Sequence, residues 1–180
     1  MLVEFVAWLA GDLILTAIVL LWAKWSKLDL GLRTPAFRGL WPWIALYAAW
    51  YAAECAIFAA FPPGEGPEWL DRLQQLPLLE ELVLMVVVGP VFEELLFRGA
   101  MLSALLRGWG IWVAAAVPSI LWGLIHIGYE PWFVASITGS GVILAIIRWK
   151  SGSLYVPLCL HAAGNLFVTL DPYTWFAGTV

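Results

Sequence analysis

The chain has 180 residues, of which 63% are hydrophobic and 12% charged, with thirteen tryptophans and a net charge of −4. Soluble domains average about 45–50% apolar and about 25% charged residues, so this composition excludes a soluble globular protein, and the lack of a basic tract excludes a nucleic-acid partner. What remains is one domain's length of chain built on stretches of about twenty apolar residues, each able to cross a bilayer.

The first apolar run covers residues 2–23. Its only charges are Glu4 and Asp12, while Lys24 and Lys27 follow it. A secretory signal shows the reverse order, with basic residues before the apolar core. The run is therefore expected to be a retained helix with its N-terminus outside the cytoplasm. The next segment carries Lys24, Lys27, Arg33 and Arg38 and breaks at Gly31 and Pro35, which marks an inner loop by the positive-inside rule. A second helix is expected from Trp41 to Phe61, begun by Pro42 and ended by Pro62-Pro63-Gly64, with Glu54 inside it as a buried bonding partner or cavity-lining group. Within 64–77, Trp69, Leu70, Leu73 and Leu76 recur at helical spacing between polar residues. That pattern suits a short helix lying flat in the outer interface.

A third crossing starts after Pro77 and runs through Leu106. Its acidic pair Glu80-Glu81 sits in the first turn, where carboxylates favour the helix dipole and reach water. A second pair, Glu93-Glu94, lies in the middle of the run together with Arg98. One such charge near the membrane centre costs roughly 2.5–3.5 kcal/mol on insertion scales, so three within six residues must be paired, turned inward or used. A fourth helix is expected over 111–127, a fifth over 131–149 with Gly139 and Gly141 permitting close contact, and a sixth over 154–170, followed by a short aromatic tail. Cys55 and Cys159 lack C-x-x-C spacing and are expected to be buried small residues.

Charge tests the six crossings. Inner loops hold Lys24, Lys27, Arg33, Arg38, Arg107, Arg148 and Lys150, and outer segments hold only Arg72. The bias supports six helices with both termini outside. The expected fold is thus all-α, a polytopic membrane helical bundle of about six transmembrane helices plus a short interfacial helix. It forms a single domain over 1–180 with a catalytic core at about 78–170, in a membrane of prokaryotic type.

Glu94 and Arg98 are four apart and share a helix face, with the acid on the favourable N-terminal side. Glu93 points about 100° away and has no basic residue at helical spacing. The simplest division leaves Glu94 and Arg98 as a structural pair and Glu93 free for chemistry. The only histidines, His126 and His161, lie in apolar helix; Trp122 shares a face with His126, and Asn165 with His161. Counting about 1.5 Å per residue from each helix start, Glu93, His126 and His161 straddle the midplane over about two turns. A tilt, or a kink at Gly89-Pro90, must close that gap.

In this arrangement the chain resembles the CAAX-protease and bacteriocin-processing group of intramembrane endopeptidases, the Abi family. The motif E-E-x-x-x-R matches Glu93, Glu94 and Arg98, followed by Gly99. F-x-x-x-H matches at His126 with Trp122 in place of phenylalanine, which keeps an aromatic wall and bears on pocket width. H-x-x-x-N matches His161 and Asn165, preceded by Ser151-Gly152-Ser153-Leu154 and Pro157. The resemblance covers about 78–167. It implies hydrolysis of a peptide bond in a membrane-associated protein or peptide, with a water held by Glu93 and His126 and an oxyanion site from His161 and Asn165. It also admits a zinc form with Glu93, His126 and His161 as ligands, although no H-E-x-x-H is present; the metal-free form is favoured because Asn165 suits an oxyanion donor. The rival class is a non-catalytic immunity or transport protein on the same scaffold, which would keep its function in Glu93→Ala.

Overall fold

The computed structural model describes residues 2–61 and 67–170. The expected break at Pro62-Pro63-Gly64 and the tail after Leu170 lie outside the described residues. All regular elements in the described residues are helical: α1 (Leu2–Trp25), α2 (Trp41–Ala60), α3 (Glu68–Gln74), a composite rod α4, then α5 (Ile111–Leu124), α6 (Pro131–Ser151) and α7 (Tyr155–Leu170). The α4 rod runs over 78–105 and alternates α-helical pieces (Leu78–Leu82, Gly89–Glu94, Leu102–Leu105) with π-helical ones (Val83–Val88, Leu95–Met101). The protein is a helical membrane bundle. Of its helices, α1, α2 and α6 are long and apolar enough to cross a membrane, while α5 and α7 are shorter apolar helices.

α1 packs on α4, α7 on both α4 and α6, and α2 on α6, while α5 and α6 form an extensive pair. Small residues make that pair close. Ala114, Ala115 and Ala145 are essentially inaccessible and pack with Leu102 and Ile146. The expected role of Gly139 and Gly141 holds: a Cβ at Gly139 would sit 2.4 Å from the Trp50 ring, and one at Gly141 would lie 2.9 Å from Trp122 and 3.0 Å from Arg98. The cysteines differ from expectation. Cys55 is half-buried and Cys159 exposed, because its face of α7 turns away from the bundle.

One end of the bundle is closed by the segment joining α1 to α2. The Arg107 guanidinium donates to the carbonyls of Ser26 and Lys27, and Arg148 donates to that of Asp29 at 3.0 Å. Arg33 pairs with Asp29 and donates to the Gly152 carbonyl at 2.8 Å. Leu154 N–H reaches Gly31 O, and Ala36 N–H reaches Ser151 O. The basic residues expected for inner loops therefore gather at one end, and three of them satisfy backbone carbonyls that would otherwise be unpaired. At the opposite end α3 packs its buried Leu70, Leu73 and Leu76 on Leu84 of α4, on Phe5, Trp8 and Leu9 of α1, and on Tyr129.

Candidate active site

The site grows out of an irregularity in α4. In a π turn each N–H bonds the carbonyl five residues back, as Gly89 N–H does to Leu84 O. The next donor in that register would be residue 90, but Pro90 has no N–H. The Met85 carbonyl is instead satisfied from another helix: Asn165 Nδ2 of α7 donates to it at 2.8 Å. This cross-helix bond fills the gap left by the proline and ties α7 to the turn just before the acidic pair. A second π turn follows the pair, closed by Leu102 N–H to Phe97 O.

Glu94 and Arg98 are both wholly buried and paired, Nη1 to Oε1, at 2.8 Å. The expected pair is present, and it has a third member. His161 Nδ1 lies 3.0 Å from the same Glu94 oxygen. A carboxylate only accepts, so Nδ1 carries the hydrogen and Nε2 is left to face elsewhere. It faces Glu93, 3.8 Å from Oε2. One imidazole thus spans the two adjacent carboxylates, with its ring fixed by Glu94.

Glu93 differs from expectation: it is not unpartnered. The indole N–H of Trp122 donates to Oε2 at 2.5 Å. By spacing Trp122 is only an aromatic wall, and a donor reaching across from α5 has no local signature. Trp122 also covers Arg98, whose guanidinium carbon lies 4.1 Å from the ring centroid, and it meets His161 and His126 edge-on at 5.2 and 5.6 Å. α5 ends at Leu124, short of the expected 127, so His126 lies not in the helix but in the turn that follows it, where its Nδ1 lies 2.8 Å from the Trp122 carbonyl in the last turn of α5. That carbonyl also only accepts, so Nε2 of His126 is the atom left for the cavity. The gap in depth between the three groups is closed through Trp122, which sits one turn deeper than His126.

Glu93, Trp122, His126, His161 and Asn165 all line one cavity of about 480 Å³. Arg98 and Glu94 lie behind it. Further lining residues were not singled out by sequence spacing: Asp12 of α1, Tyr47 and Tyr51 of α2, Tyr129 and Thr169. Asp12 alone carried a signal, as a lone acid in an apolar helix. Tyr129, in the turn between α5 and α6, is held protonated well above the usual phenol range by burial, with the Glu93 charge adding to it. Two acids read from sequence also reach the cavity. Glu54 accepts from the Ser136 hydroxyl, which in turn accepts from Trp50 Nε1 at 3.0 Å. Glu81, expected to be a solvated end charge, lines the cavity because α3 folds over the start of α4.

Among the described residues, no group of three or more His, Cys, Asp or Glu side chains is gathered closely enough to hold a metal. Oε2 of Glu93 accepts the Trp122 N–H, and each histidine has its Nδ1 engaged and its Nε2 open. As arranged, Glu93, His126 and His161 do not fit a metal centre.

A family model described as type II CAAX prenyl endopeptidase Rce1-like matches residues 75–167. Among curated relatives, the Bacillus subtilis (strain 168) protein named "Putative membrane peptidase YdiL" is 27% identical over 101 residues, covering 56% of this chain and 40% of that one. An Escherichia coli protein named "Uncharacterized 24.3 kDa protein" is 32% identical over 83 residues, 44% of this chain and 38% of its own length. The Lactococcus lactis subsp. lactis (strain IL1403) "UPF0177 protein YxdF" is 28% identical over 97 residues, 54% of this chain and 52% of its own. The chain spans about half or less of the length of the curated relatives it matches. No solved structure matches it.

Proposed function

We propose that this chain, which belongs to the family of type II CAAX prenyl endopeptidases described as Rce1-like, is an intramembrane endopeptidase that cuts a membrane-associated protein or peptide without a metal. The observation that carries the reading is the convergence on one cavity of Glu93 from α4, His161 and Asn165 from α7, and His126 from the turn that follows α5.

Peptide hydrolysis needs an activated water, a stabilised oxyanion and a proton for the leaving amine. Glu93 is the general base. Nε2 of His126, left open by the Nδ1 bond to Trp122 O, accepts the second hydrogen of the water and orients it. As Glu93 takes the first proton, the water oxygen bonds to the substrate carbonyl carbon. The oxyanion so formed receives hydrogen bonds from Nε2–H of protonated His161 and from the amide hydrogen of Asn165 that Met85 leaves unused. Glu93 then returns its proton to the amine nitrogen, the C–N bond breaks and the carbonyl re-forms. Glu94 and Arg98 hold the His161 ring and the local field.

The single domain 1–180 places its catalytic core at about 78–170. With six crossings and both termini outside, the basic end sealed by the α1–α2 segment lies toward the cytoplasm of a prokaryotic cell. The lipid bilayer surrounds the bundle, as the many exposed leucine, valine and tryptophan side chains of α1 and α2 require. Comparison of the membrane proteomes of cells holding the wild type and Glu93→Gln tests the reading. A new protein terminus that appears only with the wild type is expected; identical termini in both would sink it.

A further inference from the structure

We infer that the hydroxyl of Tyr47, on α2, is a third hydrogen-bond donor to the oxyanion, a catalytic group that no motif of the sequence marks. The assignment rests on the proteolytic reaction proposed above and completes its oxyanion site.

The two donors named for that site each have a second claim on them. Nε2 of His161 lies 3.8 Å from Oε2 of Glu93, a carboxylate that competes for its hydrogen. Nδ2 of Asn165 already gives one hydrogen to the Met85 carbonyl at 2.8 Å. An oxyanion is stabilised most by donors that are held in place before the reaction begins, and a donor with no other acceptor is free to be spent on it.

Other hydroxyls along the cavity are engaged or out of reach. Tyr51 donates to the Gly164 carbonyl at 2.8 Å, and Ser140 to that of Ile137 at 2.9 Å. The Thr169 hydroxyl is shut away from the cavity. Tyr129 stands among the rings of Trp69, His126 and Phe133, beside the histidine that orients the water. Tyr47 differs from all of these. It lines the same cavity, its hydroxyl makes no hydrogen bond among the described residues, and its oxygen is not sealed from the space around it.

The place of that oxygen follows from Gly164. Tyr47 and Tyr51 are four apart on α2 and so share a face. Glycine lets both come close to α7: a Cβ on Gly164 would meet the Tyr51 ring at 3.3 Å and the Tyr47 hydroxyl at 3.6 Å. Gly164 is three residues beyond His161 and adjoins Asn165, so the Tyr47 oxygen stands at the turn of α7 that carries both other donors. The ring behind it is fixed. It packs on Phe97, Trp122, Ile137 and Leu144, and on the cluster of Leu40, Ile143 and Ile147. A phenol loses its proton only near about pH 10, so the group donates at neutral pH whatever the protonation of His161.

The test uses the full chain in proteoliposomes and an internally quenched peptide built on the cut site found by the membrane-proteome comparison. A second copy of the peptide carries a phosphonamidate in place of the scissile amide, a tetrahedral anion that mimics the oxyanion. Tyr47→Phe keeps the ring and its packing. It is expected to lower kcat on the order of a hundredfold, with KM within about twofold and the melting temperature near wild type. Affinity for the phosphonamidate peptide should fall in step with kcat/KM. The second variant, Tyr51→Phe, loses the bond to Gly164 and is expected to melt lower, with a smaller loss of kcat than Tyr47→Phe. An unchanged kcat in Tyr47→Phe, a loss of kcat without loss of phosphonamidate affinity, or equal losses of kcat in the two variants overturns the inference and leaves the proteolytic reading standing. A wild type that cuts no peptide overturns the proteolytic reading, and the oxyanion assignment falls with it.

Discussion

The indole N–H of Trp122 donates to Oε2 of Glu93 at 2.5 Å, from a neighbouring helix and twenty-nine positions further along the chain. Where the resembled motif has phenylalanine, this chain holds its proposed general base with a charge-assisted donor. A hydrogen bond to a charged group is worth about 1.5–3 kcal/mol. Trp122→Phe keeps a ring over Arg98 but removes the N–H. It is expected to lower kcat on the order of tenfold to a hundredfold with thermal stability little changed. Steady-state kinetics on one quenched peptide checks this, and an unaltered kcat would reduce Trp122 to a wall.

The two adjacent glutamates should fail in different ways. Glu93→Gln is expected to abolish cleavage, by a factor on the order of 10² or more, while melting in detergent stays near wild type. Glu94→Gln strands a wholly buried Arg98 and unties the His161 ring. Removing one partner of a buried pair costs about 3–5 kcal/mol, so this variant should melt far lower. Parallel thermal denaturation and activity assays of the two proteins decide, and equal stability would contradict the geometry.

Asn165 and Pro90 are coupled through the Met85 carbonyl. Asn165→Ala leaves that carbonyl without its donor and should destabilise α4 by about 1 kcal/mol or more. Pro90→Ala restores a backbone N–H at the register the π turn needs. In the Pro90→Ala background the cost in stability of Asn165→Ala is expected to shrink, with a coupling on the order of 0.5–1 kcal/mol in the double-mutant cycle. Additive losses would show that the two residues act separately. Loss of activity in Asn165→Ala should persist in both backgrounds, because the second amide hydrogen is gone in either.

Chelation tests the metal-free mechanism. Purified protein dialysed against EDTA or treated with phenanthroline should retain its turnover, and its metal content should stay well below one per chain. Activity lost on chelation and regained with zinc would require the side chains to regroup around an ion, and would replace the mechanism proposed for Glu93.

Some of this was legible without coordinates because helices write their order locally. Apolar runs gave the all-helical membrane bundle, and the four-residue spacing gave Glu94 beside Arg98, His126 beside Trp122 and His161 beside Asn165. Small residues at Gly139 and Gly141 marked where helices close up. Spacing speaks only of one helix at a time. That His161 turns to Glu94, that Trp122 reaches Glu93, that Asn165 repairs the gap at Pro90, and that Glu81 faces the cavity are contacts between helices. They depend on tilt, on the two π turns that rotate α4 on either side of its acids, and on α3 folding across the end. The sequence by itself determined which groups must be sheltered from lipid, since charge in hydrocarbon is costly. Only the packed structure decided which of them meet, because side-chain reach across an interface is set by the relative placement of whole helices.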